Sequence, residues 1–250
     1  MAFAMAPSAW AKRKPALFTE HDAAREAGRG LFVEDVEDSD DKLVYQGLSH
    51  LSWRREKGAA TAAILILFAL TIISNKAQRR AGLRSNNLVA ATYEDIQRVA
   101  PLSRKLIARG LQLLRAMEAI RIERAGNASV YALQGIDQPG KWCKLPQQYL
   151  CNTFPYMHQL KHYFEHIKRP GSLHALKLYM LLLSLRDNVS NISRCGYDMI
   201  SEYTLLRRED ISDAIQLLIA TQLIRFAYDS ESENRKGDPA HNRYFILGLK

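Results

Sequence analysis

Cysteine is scarce in this chain. There are three, Cys143, Cys151 and Cys195, odd in number, widely spaced and without a CxxC pair. That pattern points to a reducing, cytoplasmic setting. Acids are in deficit as well: 26 Asp and Glu face 35 Lys and Arg, a formal net charge of +9 with a pI near 9.5. The imbalance favours an anionic partner, nucleic acid or an acidic membrane surface. Long apolar runs are missing. The most apolar stretch, Ala59 to Ile73, contains Thr61 and Thr71 and is shorter than the roughly 20 residues a membrane span needs. It reads as a fully buried helix, so no membrane partner is expected. No apolar run follows Lys12-Arg13-Lys14, which excludes a secretory signal there. There is no phosphate-cradling glycine loop, no HExxH and no paired-carboxylate cluster in a recognisable setting. The chain is therefore read as a non-enzyme, with no catalytic residue, cofactor or metal assigned.

What is present is an apolar content of 47% in 250 residues, enough for a real core in one or two domains. The organising stretch is Thr92 to Leu133. Thr92 followed by Asp95 is a capping-box start, and Ile96 and Val99 give a short apolar face. Pro101, Leu102 and Ser103 break the helix, with Ser103 as N-cap of the next. That helix is expected from about Arg104 to Ala116. At helical spacing, Leu106, Ile107, Gly110, Leu111, Leu113 and Leu114 fall on one side. Arg104, Lys105, Ala108, Arg109, Gln112 and Arg115 fall on the other. Ile120 to Glu123 and Ser129 to Leu133 alternate like strands around a Gly126-Asn127 turn. Helix, turn, helix, hairpin is the order of a winged helix-turn-helix.

The outward face of the second helix carries cations and no acid. From Ile96 to Arg124 there are seven basic residues (Arg98, Arg104, Lys105, Arg109, Arg115, Arg121, Arg124) against Glu118 and Glu123, a net of +5. Such cations neutralise phosphates and release counterions. Arg and Lys also read guanine edges, and Gln reads adenine. The expected partner is double-stranded DNA, with this helix in a major groove and Arg121, Arg124 and Asn127 holding the backbone beside it.

Elsewhere the signals are plainer. Residues 1–55 read as an N-terminal arm, in part disordered. Glu34 to Asp41 holds six acids in eight residues, the pattern of a solvated loop. Lys76, Arg79, Arg80 and Arg84 form a basic loop, and Leu88 to Ala91 a short strand beside the wing. Residues 136–171 read as a connector, with a strand at Trp142–Pro146 and an amphipathic helix over Pro155–Lys168 ended by Pro170-Gly171. Tyr156, Leu160, Tyr163, Phe164 and Ile167 line one face of that helix. His158, His162 and His166 lie opposite, near Cys151, strung too far along the helix to meet one ion easily.

The second half repeats the first. Ile200, Arg208, Ile211, Gln216-Leu217-Leu218 and Ile224-Arg225 each lie 104 positions after Ile96, Arg104, Ile107, Gln112-Leu113-Leu114 and Ile120-Arg121. About a third of positions are identical across 93–124 and 197–228 without a gap. Leu173–Arg186, Tyr197–Tyr203 and Arg208–Ala220 are the expected helices, with wing strands at Leu223–Tyr228 and Asn242–Leu247. The expected fold is mainly α with small β wings (α+β). It comprises two tandem winged helix-turn-helix domains over 56–135 and 172–250. The halves differ in charge: Leu205 to Arg225 has three basic residues and three acids, a net of zero. On the second reading helix Arg208, Ser212 and Gln216 are DNA candidates, with Arg225, Arg235, Lys236 and Arg243 on or near the wing. Glu209 and Asp213 share that helix face, so the first unit is expected to supply more affinity. The second is a candidate surface for a homodimer or another protein partner.

From Tyr149 to Tyr203 the chain resembles the plasmid replication initiators of the tandem winged-helix type. The resemblance rests on Tyr149-Leu150, an amphipathic helix with Phe164 and Ile167, Leu173 with Ala175-Leu176-Lys177-Leu178-Tyr179, then Ile200 and Tyr203. It implies sequence-specific binding of both winged domains to directly repeated origin sites, and repression of the protein's own promoter by dimers. The acids at Glu209 and Asp213 depart from a strongly basic second reading helix. A winged-helix transcription regulator and an interaction subunit of a larger nucleoprotein assembly are the alternatives.

Overall fold

The computed structural model describes residues 3–18, 42–44, 46–81, 87–125, 128–136, 138, 140–151, 156–228 and 242–249. Of residues 16–18, 42–44, 76–81, 123–125, 128 and 228 only the backbone is described. The acidic run 34–41, the Gly126-Asn127 turn, Arg84, Arg235 and Lys236 lie outside the described residues, as do the side chains of Lys76, Arg79, Arg80 and Arg124.

The chain is mixed α and β. Strands β1 (Ala4–Pro7), β2 (Ala16–Phe18) and β3 (Lys42–Val44) precede helices α1 (Trp53–Glu56) and α2 (Gly58–Ala81). Next come β4 (Leu88–Ala91), α3 (Tyr93–Val99), α4 (Arg104–Ala116), β5 (Ile120–Ala125) and β6 (Ala128–Leu133). The connector holds β7 (Trp142–Leu145), α5 (Gln147–Leu150) and α6 (Lys161–Glu165). The second unit is α7 (Pro170–Leu185), β8 (Ile192–Arg194), α8 (Tyr197–Thr204), α9 (Arg208–Ala220), β9 (Ile224–Tyr228) and β10 (Asn242–Ile246). Each unit thus runs helix, strand, helix, helix, strand, strand. The sheets have the same order, β4-β6-β5 and β8-β10-β9, all antiparallel.

Helix α2 is apolar on every side from Gly58 to Ile73, while Lys76, Arg79 and Arg80 lie on its last turns and not in a loop, and an apolar stretch of that kind must be covered on every side. Its window Gly58–Asn75 is 89% buried within the protein itself. Helix α7 plays the same part in the second unit, with Pro170 at its first turn. Proline there needs no N–H partner, so Pro170 opens a helix instead of merely ending the one before. The two helices meet where Phe68 and Tyr179 pack edge to face, centroids 6.1 Å apart. Both units therefore feed one core.

The N-terminal segment departs from the expected arm. Strand β1 pairs antiparallel with β7, from Ala4 opposite Leu145 to Pro7 opposite Trp142. Trp10 is buried and donates its indole N–H to the Pro7 carbonyl at 3.2 Å. Gly47, at φ +56°, passes so close to the Trp10 carbonyl that a Cβ would collide with it. The basic triplet is tied down as well. Lys12 donates to the Gly140 carbonyl at 3.3 Å, Arg13 pairs with Glu118 at 3.0 Å, and Lys14 pairs with Glu202 at 2.6 Å. Arg13 thus grips the first unit and Lys14 the second.

The connector differs from the long helix expected over Pro155–Lys168. A 3-10 turn at His158–Leu160 leads into the short α6, and the segment turns again before Pro170. Leu160, Tyr163 and Ile167 are still buried together. Its polar groups hold the end of α9: the Tyr149 hydroxyl donates to the Gln222 carbonyl at 2.6 Å and Gln159 to the Thr221 carbonyl at 2.8 Å. The hydroxyls of Tyr163 and Thr221 lie 2.9 Å apart. All three cysteines are buried and unpaired, and burial pushes the thiols of Cys143 and Cys195 up to about 12.

Candidate nucleic-acid interface

The segment from α3 to β6 follows from its local chemistry. At the start of α3 the Asp95 N–H donates to the Thr92 hydroxyl at 3.2 Å. The Thr92 N–H donates back to the Asp95 carboxylate at 3.0 Å, a reciprocal capping box. The Thr92 N–H and, at 2.9 Å, the Thr92 hydroxyl both donate to the Asp95 carboxylate and hold it below its usual range, the backbone bond contributing most. At the start of α4 the Ser103 hydroxyl accepts from the Leu106 N–H at 3.3 Å. Ile107, Gly110, Leu111, Leu113 and Leu114 of α4 are buried, and Leu106 is half-buried. Arg104, Lys105, Arg109, Gln112 and Arg115 are exposed. Gly110 lets α4 lie close on α2, for a Cβ there would come within 2.5 Å of Ile66 Cδ1.

The exposed cations are not equivalent. Arg104 pairs with Glu94 across the turn, Arg98 with Asp95 at 3.0 Å, and Arg109 with Glu56 of α1 at 3.6 Å. Lys105, Arg115 and Arg121 have no ion pair among the described residues. Lys105 and Gln112 are one heptad apart, and Arg115 is one further turn along the same side, so they form a stripe. Arg115 and Arg121 also edge an open groove of about 580 Å³, joined there by Arg13, Glu118 and Lys141. Arg13 lies far from this stretch in sequence and Lys141 lies beyond the hairpin, and spacing along α4 gives no hint of either.

The repeat extends from residue types to interactions. Arg208 pairs with Asp198 at 2.5 Å, each 104 positions after Arg104 and Glu94. Gln97 donates to the Leu102 carbonyl at 2.8 Å, and Ser201 to the Leu206 carbonyl at 2.9 Å, so a side chain pins both turns at the same register. Helices α4 and α9 are each followed by a non-glycine residue in the left-handed region, Glu118 at φ 55° and Gln222 at φ 56°. In each case the following N–H reaches back to a helix carbonyl, Ala119 to Leu114 and Leu223 to Leu218. The acids Glu94 and Asp198 were legible only as first-turn residues. Their role as partners of the arginines needs the tertiary turn.

On α9, Arg208, Glu209, Asp213 and Gln216 are exposed and Ser212 is half-buried. Asp210 accepts from Arg207 at 2.9 Å, and His174 Nδ1 lies 3.6 Å from its carboxylate. Arg225 lies over the Phe245 ring at 5.7 Å, and Arg243 is half-buried in β10 beside β8. Strand β8 had no counterpart among the expected elements, although Ile192 follows Leu88 by the same 104 positions. In the connector, His162 and His166 stack with centroids 4.3 Å apart, and burial lowers the His162 pKa. Among the described residues no group of three or more His, Cys, Asp or Glu converges. Compared with known proteins, the chain matches no family model and no curated protein.

Proposed function

We propose that the chain is built of two tandem winged helix-turn-helix units, the first within 56–135 and the second within 172–250. We read it as a protein that binds double-stranded DNA. One observation carries this reading. The exposed face of α4 presents Arg104, Lys105, Arg109, Gln112 and Arg115 with no acid among them, on the helix that follows a side-chain-pinned turn. Lys105, Gln112 and Arg115 are the groups free to reach base edges and phosphates. Arg104 and Arg109 must first leave Glu94 and Glu56, or use the spare donors of their guanidinium groups. The arginine on β5, Arg121, extends the stripe toward the backbone. On α9 the exposed Glu209 and Asp213 oppose phosphate, so the second unit contributes less affinity and offers the surface for a second copy or another protein.

The biological role most in keeping with two such units is replication initiation at directly repeated sites of a plasmid or mobile element. Regulation of transcription is the second reading. Duplex affinity should fall steeply with salt, and Lys105→Ala with Arg115→Ala should flatten the log–log salt slope by about 1.8, roughly 0.9 for each phosphate no longer neutralised. Arg208→Ala with Gln216→Ala should change it less. A larger loss from the second pair overturns the ranking, and salt-independent association overturns duplex binding. Affinity selection of fragmented DNA separates the roles: direct repeats favour an initiator, a single inverted repeat at a promoter favours a regulator.

A further inference from the structure

A cavity of about 890 Å³ opens between α1, the start of α7, the end of α8 and the start of α9. Its charged lining is Arg54 and Arg55 from α1, Lys177 from α7, and Arg207 and Asp210 at the head of α9. That is four basic groups against one carboxylate. His174 also lines it, and burial lowers the His174 pKa, which leaves the ring neutral near pH 7. Lys177 is 4% exposed. Its Nζ donates to the Leu51 carbonyl at 3.1 Å and the Thr204 carbonyl at 2.6 Å. An ammonium has three donors, so one remains. No carboxylate bonds this ammonium among the described residues. A buried cation without a counter-charge is costly to keep. Burial, reinforced by the Arg55 charge, pushes Lys177 down to about 7. Arg54 is exposed and has no ion pair among the described residues, and the Arg207 side chain is 76% exposed while it holds Asp210.

We infer that this cavity is a binding site for a small phosphate-bearing molecule, its oxyanions held by Arg54, Lys177 and Arg207. Guanidinium forks and an ammonium together suit a tetrahedral, multiply charged oxyanion better than a single carboxylate. The volume is in the range of small-molecule sites. A duplex backbone presents a convex row of phosphates and reaches exposed cations, whereas the floor of this cavity is a recessed lysine. The site is also linked by ion pairs to α4 and α9. Glu56, next to Arg55, pairs with Arg109 of α4 at 3.6 Å. Arg207 and Asp210 begin α9, and an anion would draw Arg207 away from Asp210.

The test is calorimetric titration of the full chain with inorganic pyrophosphate in a phosphate-free buffer. We expect saturable binding at one site, weakened about tenfold or more by Arg54→Ala with Arg207→Ala, both exposed positions that leave the core intact. Lys177→Met should weaken it further, and its folding is checked by circular dichroism. The absence of saturable binding overturns the inference, as does equal binding by the Arg54/Arg207 variant. Excess short mixed-sequence duplex should leave the pyrophosphate affinity unchanged. Displacement by the duplex overturns the assignment to a small ligand and gives the site to a backbone phosphate.

Discussion

Gly110 sits in the middle of α4, where glycine is about 1 kcal/mol worse than alanine by helix propensity alone. Gly110→Ala would therefore stabilise an isolated helix. In the protein the added methyl meets Ile66 Cδ1 at 2.5 Å, the Ala63 nitrogen at 3.2 Å and the Ala62 carbonyl carbon at 3.3 Å. The end of the Ile66 side chain can rotate away. The α2 backbone cannot, because that helix is packed on every side. Overpacking of this kind costs about 1–3 kcal/mol. Set against the propensity gain of about 1 kcal/mol, the net effect should be a loss of zero to about 2 kcal/mol. The second unit has Ala214 at the matching place, 104 positions on. So the close approach is a property of the first unit, and it sets how far the basic face of α4 stands from the core. Urea denaturation of Gly110→Ala, Ile66→Val and the double variant resolves the components. Ile66→Val alone should cost about 0.5–1.5 kcal/mol. If the Cδ1 contact dominates, Gly110→Ala becomes neutral or stabilising in the Ile66→Val background; if the backbone contacts dominate, it remains destabilising. A gain of the full helix propensity in the wild-type background would refute the close approach itself.

Further expectations concern charge and backbone strain. Lys177 has a folded-state pKa near 7, below the ordinary lysine value of 10.5. Between those limits the unfolded chain binds a proton that the folded chain lacks. Stability should therefore rise from pH 7 to about 8.5 by at most about 1.4 kcal/mol per pH unit, and above the free thiol pKa the buried Cys143 and Cys195, raised to about 12, turn the slope the other way. Lys177→Met should abolish that slope in urea denaturation, and a flat wild-type profile between pH 7 and about 8.5 would contradict the lowered lysine pKa. Gln222→Gly should relieve the left-handed strain at φ 56° and raise the melting temperature. The gain should be at most about 1 kcal/mol, or roughly 2–4 °C in a chain of this size. Glu118→Gly should gain less, because it also gives up the half-exposed pair with Arg13.

Much of this architecture could be read from periodicity. Arg104–Ala116 and Arg208–Ala220 form helices over the expected spans because each buries one clean apolar stripe. The strand Leu88–Ala91 forms as expected and pairs with β6, the second strand of the expected hairpin. Three features were not legible. Strand β1 is Ala4-Met5-Ala6-Pro7, four residues without β-branching or polar alternation, whose conformation is decided by a partner far along the chain. Lys12-Arg13-Lys14 looks like a solvated or DNA-contacting run, yet each side chain is committed to a different tertiary contact. Strand β8 is too short and polar to register by itself, though the repeat spacing marks it. For the candidate interface, types and faces were readable, but the pairing of Arg104 and Arg109 with acids was not. The cavity left one sign in the sequence, a single lysine in the apolar run Leu176-Lys177-Leu178.

The pairing of Ala4 with Leu145 has a consequence for synthesis. A chain leaves the ribosome from its N-terminus at about 5–20 residues per second. The first strand therefore waits many seconds before β7 exists, its hydrogen-bonding edge open to other chains. Trp10 waits longer still, since it packs against α7 in the finished core. While it waits, part of α2, whose Gly58–Asn75 stretch is buried in the finished protein, lies uncovered. The first unit cannot complete itself as it emerges. It closes only when the second arrives, and a nascent chain stalled between them is the species that would call most on chaperones.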